Sequence, residues 1–481
     1  MSAPSDSIQP THSSSSPVPP AIPNKAPHVL IAGAGLAGLF LGILLERAGI
    51  PYEIFERSAA PRPLGAIMSL SPNILPVFEQ LGLLDELLSF SKPSLRGVFL
   101  TNKLEPIGQA DTDCTELAGY DRVLFARPEL QDMLFKNIPS DKIHLSKKIA
   151  TLDQDQDGVT VTFDDNTTAR GDILVGADGA HSAVRKHLYA TLEKKGLLPK
   201  ADTEALSKGY ISLVGTTNEL DPVKYPGVLE KESEALYMIG DKDTPYTWVT
   251  FTVPGNRICW NVIVQLGLSS TADEHAVSSD WTNQDNKKML DEIRHFKTPY
   301  GTMGDLFDVT DIEKVSKIYF EDKLFETWTH GRTVLIGDAA HLLLPSSGAG
   351  AVNAMQDAVL LANHLYDIFP TSFENIKTAL SEYKEERFDV IKDQYPQSYM
   401  GAKLIFGHTF TERVLRHVVF NWLPKSLQRK QLIKDTAYRP QANFLPLAPK
   451  RGNLDVIPQK PSKRMQKEKE EEASRTNVAA L

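Results

Sequence analysis

Cysteine is nearly absent: Cys114 and Cys259 are the only two in 481 residues. Neither a disulfide framework nor a CxxC metal knuckle can be built from them. A reducing compartment, the cytoplasm, is therefore expected, with no metal site. An excess of basic charge is missing too. Lys and Arg number 52 against 61 Asp and Glu, a formal net charge of −9. Without a basic stripe, nucleic acid is not an expected partner. There is no GxSxG elbow, HExxH, EF-hand loop or P-loop, so those chemistries have no carrier here. Long apolar runs are scarce as well. The most conspicuous one, Val29 to Leu45, has 17 residues, four of them glycine, whereas a membrane helix needs about 20 apolar residues. The residues ahead of it are rich in Ser and Pro rather than basic, unlike a secretory signal. No transmembrane segment is expected.

What is present suits a folded interior. The chain is 41% hydrophobic and 23% charged, enough apolar surface to exclude disorder of the whole. Its length predicts roughly three core units at about 150 residues each. Residues 1–27, with SSSSPVPP, are expected to be a disordered lead, and residues 451–481 a disordered charged tail, because neither offers an apolar stripe. Between them strand and helix patterns alternate to about Ala201. A β-rich block follows from Lys208 to Leu266, with YISLVG, TWVTFTV and RICWNVIVQL. Helical patterns return after Gly337 and run to about residue 435.

The apolar run explains itself once its glycines are placed. HVLIAG reads as a strand and Gly33-Ala34-Gly35-Leu36-Ala37-Gly38 as the turn into a helix ending near Ala48. Gly33 permits the tight turn, Gly35 lets backbone approach a pyrophosphate, and Gly38 and Gly42 let the helix pack on the sheet. The helix N-terminus offers free N–H groups and a positive dipole end. A second strand, PYEIFER, leads to Glu56, 18 residues past Gly38, the range of an acid that binds a ribose hydroxyl. A dinucleotide is expected; the fingerprint alone does not separate NAD from FAD.

Two distant segments bear on that choice: GDILVGADGAHSAVR, from Gly171 to Arg185, and GDAAHLLLPSSGAG, from Gly337 to Gly350 and on to Asn353 and Asp357. With these three motifs in order across residues 28–395, the chain resembles the FAD-dependent monooxygenases of the para-hydroxybenzoate and salicylate hydroxylase type, including relatives in fungal secondary metabolism. SPNILPVFEQLGLLDEL also looks like that family's segment after the second strand. The resemblance implies FAD, held by Gly33, Gly35, Gly38, Glu56, Ser69 (through its backbone), Arg127 in FARPELQDML, Asp338, Gly350 and Ala351. Asp338 closes an apolar strand, where a carboxylate can meet ribose or ribityl hydroxyls. The helix starting near Ala351 can turn its amides toward the flavin pyrimidine. The family often has Asn where this chain has Val352, with Asn353 next. His341, among leucines, reads as structural. For Asp178 and Arg185 a buried ion pair and ligand binding stand equal.

The fold implied is α/β: a composite Rossmann-like FAD-binding domain (28–204 and 326–395), an inserted β-rich substrate domain (205–325) and C-terminal helices (396–450). The function implied is monooxygenation, with NADPH or NADH docking transiently and O2 as co-substrate, hydroxylating or epoxidising an aromatic or polycyclic small molecule. Arg185 and Tyr210 are the catalytic candidates, Tyr210 lying five residues before Gly215 as in related fungal enzymes. The WxWxIP signature of flavin halogenases is absent. Two other readings stay open: a flavin reductase or dehydrogenase on the same fold, and a non-catalytic flavoprotein that binds a partner. The segment MGAKLIFGHTFTERVLRHVVFNWLP is expected to pack on the flavin domain or a second subunit, with a peripheral membrane contact as the alternative. Oligomeric state is left open.

Overall fold

The computed structural model describes residues 25–61, 67–267 and 283–479; most of the expected disordered lead, residues 1–24, lies outside them. The strand Val29–Ala32 is buried along its whole length, as a continuous apolar run in the middle of a parallel sheet must be. It pairs in parallel with Tyr52–Phe55 on one side and Ile173–Gly176 on the other. Ile143–His144 extends the sheet beyond Tyr52–Phe55, and Thr333–Leu335 joins it beside Ile173–Gly176. The sheet thus has six strands, with the short antiparallel Thr329–His330 at one edge. Strands from both ends of the sequence share it, which makes the nucleotide-binding unit composite.

Helix α1, Leu36–Ala48, follows the first strand and ends on Gly49 in the left-handed conformation, whose N–H returns to the carbonyls of Leu45 and Glu46. It buries Leu39, Phe40, Leu41, Leu44 and Leu45, each worth ~1.5–3 kcal/mol relative to exposure. Helices α2 (Arg127–Lys136) and α3 (Ala183–Lys194) follow strands of the first half. Helix α4 (Gly350–Tyr366) runs against α1 from the second half.

The β-rich unit is an eight-stranded sheet. Its central strands, Ser207–Thr216, Tyr246–Val253 and Arg257–Gln265, are antiparallel neighbours. Alternation sorts the side chains: Ile211 and Leu213 face one hydrophobic cluster with Trp248 and Trp260, while Tyr210 and Val214 face another with Val249, Phe251 and Phe406. The sheet reaches beyond the block 205–325 expected from the sequence. Its outer strands are the hairpin Arg96–Thr101 and Pro106–Asp111, the first of which pairs in parallel with Ala235–Ile239, and at the other edge His341–Leu342 pairs with Ser316–Leu324.

Two further differences concern the C-terminal part. Helix α5 runs unbroken over 34 residues from Phe373 to Phe406 with Pro396 inside it, so the division expected at 395/396 falls within one helix. Helices α6 (Phe410–Trp422) and α7 (Lys425–Ala437) come next. The tail, expected to be disordered, carries helix α8 (Lys463–Ala479). Its start is fastened: Asp367 accepts hydrogen bonds from Ser462 Oγ and the Lys463 amide, and Lys463 Nζ lies 2.7 Å from Glu382. Polar anchors, rather than the apolar stripe the tail lacks, hold it.

Candidate active site

The site begins at the turn after the first strand. Gly33 has φ +104°, and a Cβ there would stand 2.5 Å from the Ala177 carbonyl oxygen; a Cβ on Gly38 would collide with the Gly33 carbonyl. These two glycines are demanded by the fold. Gly35 is different, because the nearest protein atom to a Cβ there is Ala177 O at 4.0 Å. The chain itself leaves the space beside it open. Helix α1 has no side-chain N-cap and no acid in its first turn, so its first amides keep their hydrogen-bonding capacity for an anion. Glu56 closes the loop: its carboxylate accepts from the Ala34 amide at 2.9 Å and the Ser58 amide at 2.8 Å. The expected residues Gly33, Gly35, Gly38 and Glu56 do come together.

The second part arrives from 300 residues further on. Asp338 follows the strand Thr333–Leu335, and its side chain remains accessible to solvent. The protein packed around it pushes its carboxyl above the ordinary range, while the charges of His341 and Arg127 oppose that shift. Arg127, first residue of α2, is itself lowered by its surroundings and raised by Asp338. The two side chains thus share one electrostatic neighbourhood.

Beyond Asp338 the chain turns at Pro345–Ser347, passes through Gly348 at φ +62° and enters α4, again without a side-chain cap or an acid in its first turn. Nothing lies within 4 Å of where a Gly350 side chain would project. Ala351 sits in that first turn. Ser69 reaches the same place: its Oγ accepts from Arg122 Nη2 at 2.9 Å, and both atoms would crowd a Cβ on Gly348. Gly348, Ala349, Ser69 and Arg122 border a cavity of about 590 Å³, whose far wall includes Phe420 and Leu427. Arg122 was not among the expected residues. Its only sequence signal is a basic residue just ahead of an apolar strand, which many surface arginines share.

A buried ionic cluster fixes this end. Asp357 of α4 accepts from His341 Nε2 at 2.7 Å, from the Gly337 amide at 2.8 Å and from Arg387 Nε of α5 at 2.6 Å. Burial acts to raise the Asp357 carboxyl, but His341 and Arg387 prevail and hold it below its ordinary value. Arg387 also donates to Asn353 Oδ1, whose amide nitrogen donates to Gln394. Asn353 and Gln394 themselves border the cavity, and His341 is buried within this cluster.

The two expected catalytic residues lie in different settings. Arg185 donates to the carbonyls of Ala339 and Ala180, and its guanidinium lies 4.1 Å from the Phe325 ring centre. Asp178 is engaged elsewhere, capping the start of α3 through Ser182 Oγ and the amides of Ala183 and Val184. The ion pair between them is not made. Arg185 instead ties the two glycine-rich turns together. Tyr210 is buried under Phe406, with its hydroxyl pKa raised by burial and by Glu412.

Two uncapped helix ends, the glycine turn at the first of them and the carboxylates of Glu56 and Asp338 fit a dinucleotide cofactor, on an α/β fold that carries a second, eight-stranded sheet. The chain belongs to the family described as "FAD binding domain", which it matches over residues 27–397. It is 29% identical to the FAD-dependent monooxygenase paxM of Penicillium paxilli over 383 residues, 77% of either chain. It is 28% identical to the FAD-dependent monooxygenase nvfK of Aspergillus novofumigatus over 444 residues, 88% of this chain and 91% of that one. Klebsiella pneumoniae HpxO, solved with FAD and uric acid, superposes with a TM-score of 0.69 at 22% identity, covering 86% of this chain and 97% of its own. The chain is an FAD-dependent monooxygenase.

Proposed function

We propose that this enzyme uses NAD(P)H and O2 to hydroxylate or epoxidise an aromatic or polycyclic small molecule. The observation that carries the reading is the position of the α4 N-terminus, whose uncapped amides stand at the border of a cavity of about 590 Å³. Bound FAD supplies the two-electron transfer and the oxygen chemistry. This chain's residues supply the setting. Gly35 and the α1 amides hold the pyrophosphate, Glu56 and Asp338 the sugar and ribityl hydroxyls. The uncapped α4 amides would offer positive charge to a flavin ring bound beside them. Arg122 and Ser69 orient polar groups at the cavity mouth, while Phe420 and Leu427 give the substrate an apolar wall. Two buried, free thiols support a reducing compartment such as the cytoplasm.

The test uses FAD-loaded enzyme, NADPH or NADH, and ¹⁸O2 with a panel of aromatic and polycyclic compounds. One labelled oxygen atom in a product is expected. Nicotinamide oxidation that delivers all its electrons to peroxide, with no labelled product from any compound, would favour a reductase.

A further inference from the structure

Helix α6 is oriented with its polarity reversed. Toward the protein it buries Glu412 and Arg416, the latter donating to the carbonyls of Leu404 and Gly407. Toward solvent it presents Phe410, Val414, Val418 and Trp422, spaced by four and so lying along one face. Phe410 is 73% exposed and Trp422 72%, far more than single aromatic residues on an ordinary surface require. The concentration is local: among the described residues, eight of the 18 exposed large hydrophobic residues fall between Tyr399 and Leu427.

Charge follows the same segment. Between Lys403 and Lys434 there are seven Lys and Arg against one acid, the buried Glu412, in a chain of net charge −9; of these Arg416 is buried, and Arg429 and Lys434 pair with Glu116 and Asp393. Lys425, Lys430 and Lys434 are exposed on α7, directly after the apolar face. An apolar stripe with two aromatic residues, flanked by bases, is complementary to the interface of an anionic bilayer. A second copy of the chain fits less well, since a two-fold contact would set this basic segment against itself. Among the described residues no helix is long and apolar enough to cross a membrane.

We propose that α6 and the start of α7 form a lipid-docking face that seats the enzyme on an anionic membrane surface with α6 lying in the interface. Phe420 of α6 and Leu427 of α7 also wall the cavity beside Gly348, so docking brings that wall close to the bilayer. The proposal stands apart from the oxygen chemistry and is read without turnover.

The experiment is flotation of the full FAD-loaded chain with vesicles of phosphatidylcholine alone or with added phosphatidylserine. Binding is expected to be roughly tenfold stronger on the anionic vesicles and to weaken in high salt. Phe410→Ser with Trp422→Ser should abolish it, and Lys425→Glu with Lys430→Glu should weaken it at least ~tenfold. In a Trp281→Phe background, which removes the one tryptophan outside the described residues, brominated lipid should quench Trp422 in particular, because Trp248, Trp260 and Trp328 are fully buried; the quenching should vanish when Trp422→Phe is added. Flavin absorbance and Tm confirm folding. If the serine pair lowers Tm, the lysine pair and the quenching carry the test. Wild-type protein that stays with the unbound fraction on both vesicles overturns the proposal. So does a dimer that the serine pair converts to monomer, which would assign the face to a second copy.

Discussion

Gly35 and Gly38 stand three positions apart and answer to different masters. A side chain on Gly38 meets the Gly33 carbonyl, whereas one on Gly35 meets almost no protein. Gly38→Ala should yield little folded protein. Gly35→Ala should keep the apoprotein's Tm yet weaken FAD binding by at least ~1.4 kcal/mol, tenfold in Kd, measured by fluorescence titration. A Gly35→Ala variant with wild-type affinity would remove the pyrophosphate from this loop. His408 offers a second test. It is 5% exposed, with Nε2 3.2 Å from Thr247 Oγ1, and burial together with Arg416 and Arg413 lowers its pKa to about 3, against a weaker opposing pull from Asp241. The folded state therefore keeps it neutral where the unfolded chain would bind a proton. Its contribution to stability is whole above the unfolded pKa near 6.5 and is lost as pH falls toward 3, by about 1.4 kcal/mol per pH unit. Urea unfolding from pH 7 to pH 4 should show that slope, and His408→Gln should flatten it.

At the scale of elements, the start of α4 is placed by its own side of an ionic cluster and by a partner helix. Arg387→Met leaves the buried Asp357 carboxylate with only His341 and the Gly337 amide, which should cost ~3–5 kcal/mol, seen as a lower Tm and a weakened FAD affinity. An unchanged Tm would mean that α5 does not hold this end. The sequence made Gly33, Gly35, Gly38, Glu56 and Asp338 legible because each belongs to a local pattern: a turn, a strand end or a fixed spacing. Arg387 and Arg122 follow no such pattern. Asp357 and Arg387 meet across two helices, and Arg122 meets Ser69 across strands 53 residues apart. The hairpin Arg96–Asp111 escaped for the same reason, since its pairing partner Ala235–Ile239 lies far along the chain. Arg185, expected as a catalytic candidate, lies in the first turn of α3, and its bonds to Ala339 and Ala180 are made with backbone that no residue pattern marks.

At the scale of the whole molecule, the C-terminal tail is an outer strap. Arg451 lies 2.6 Å from Glu79, and Asn453 Nδ2 donates to Glu116 at 3.1 Å, before Ser462 and Lys463 fasten α8 to Asp367 and Glu382. Most of these pairs are exposed and individually weak. Removing residues 451–481 should lower Tm by a few degrees, ~2–4 °C for each kcal/mol lost, and leave FAD affinity unchanged. A large loss of FAD affinity in the truncated chain would show that the strap reaches the cleft.

The FAD cleft takes its first amides from α1 and its last from α4, which begins at Gly350. On the proposed assignment the ribosome delivers the pyrophosphate cradle long before the residues that would meet the flavin ring, with the whole β-rich sheet made in between. A nascent chain halted before Gly350 holds half a nucleotide site. The cofactor can be gripped at both ends only after about three quarters of the chain has emerged, so flavin capture marks the completion of the fold rather than its beginning.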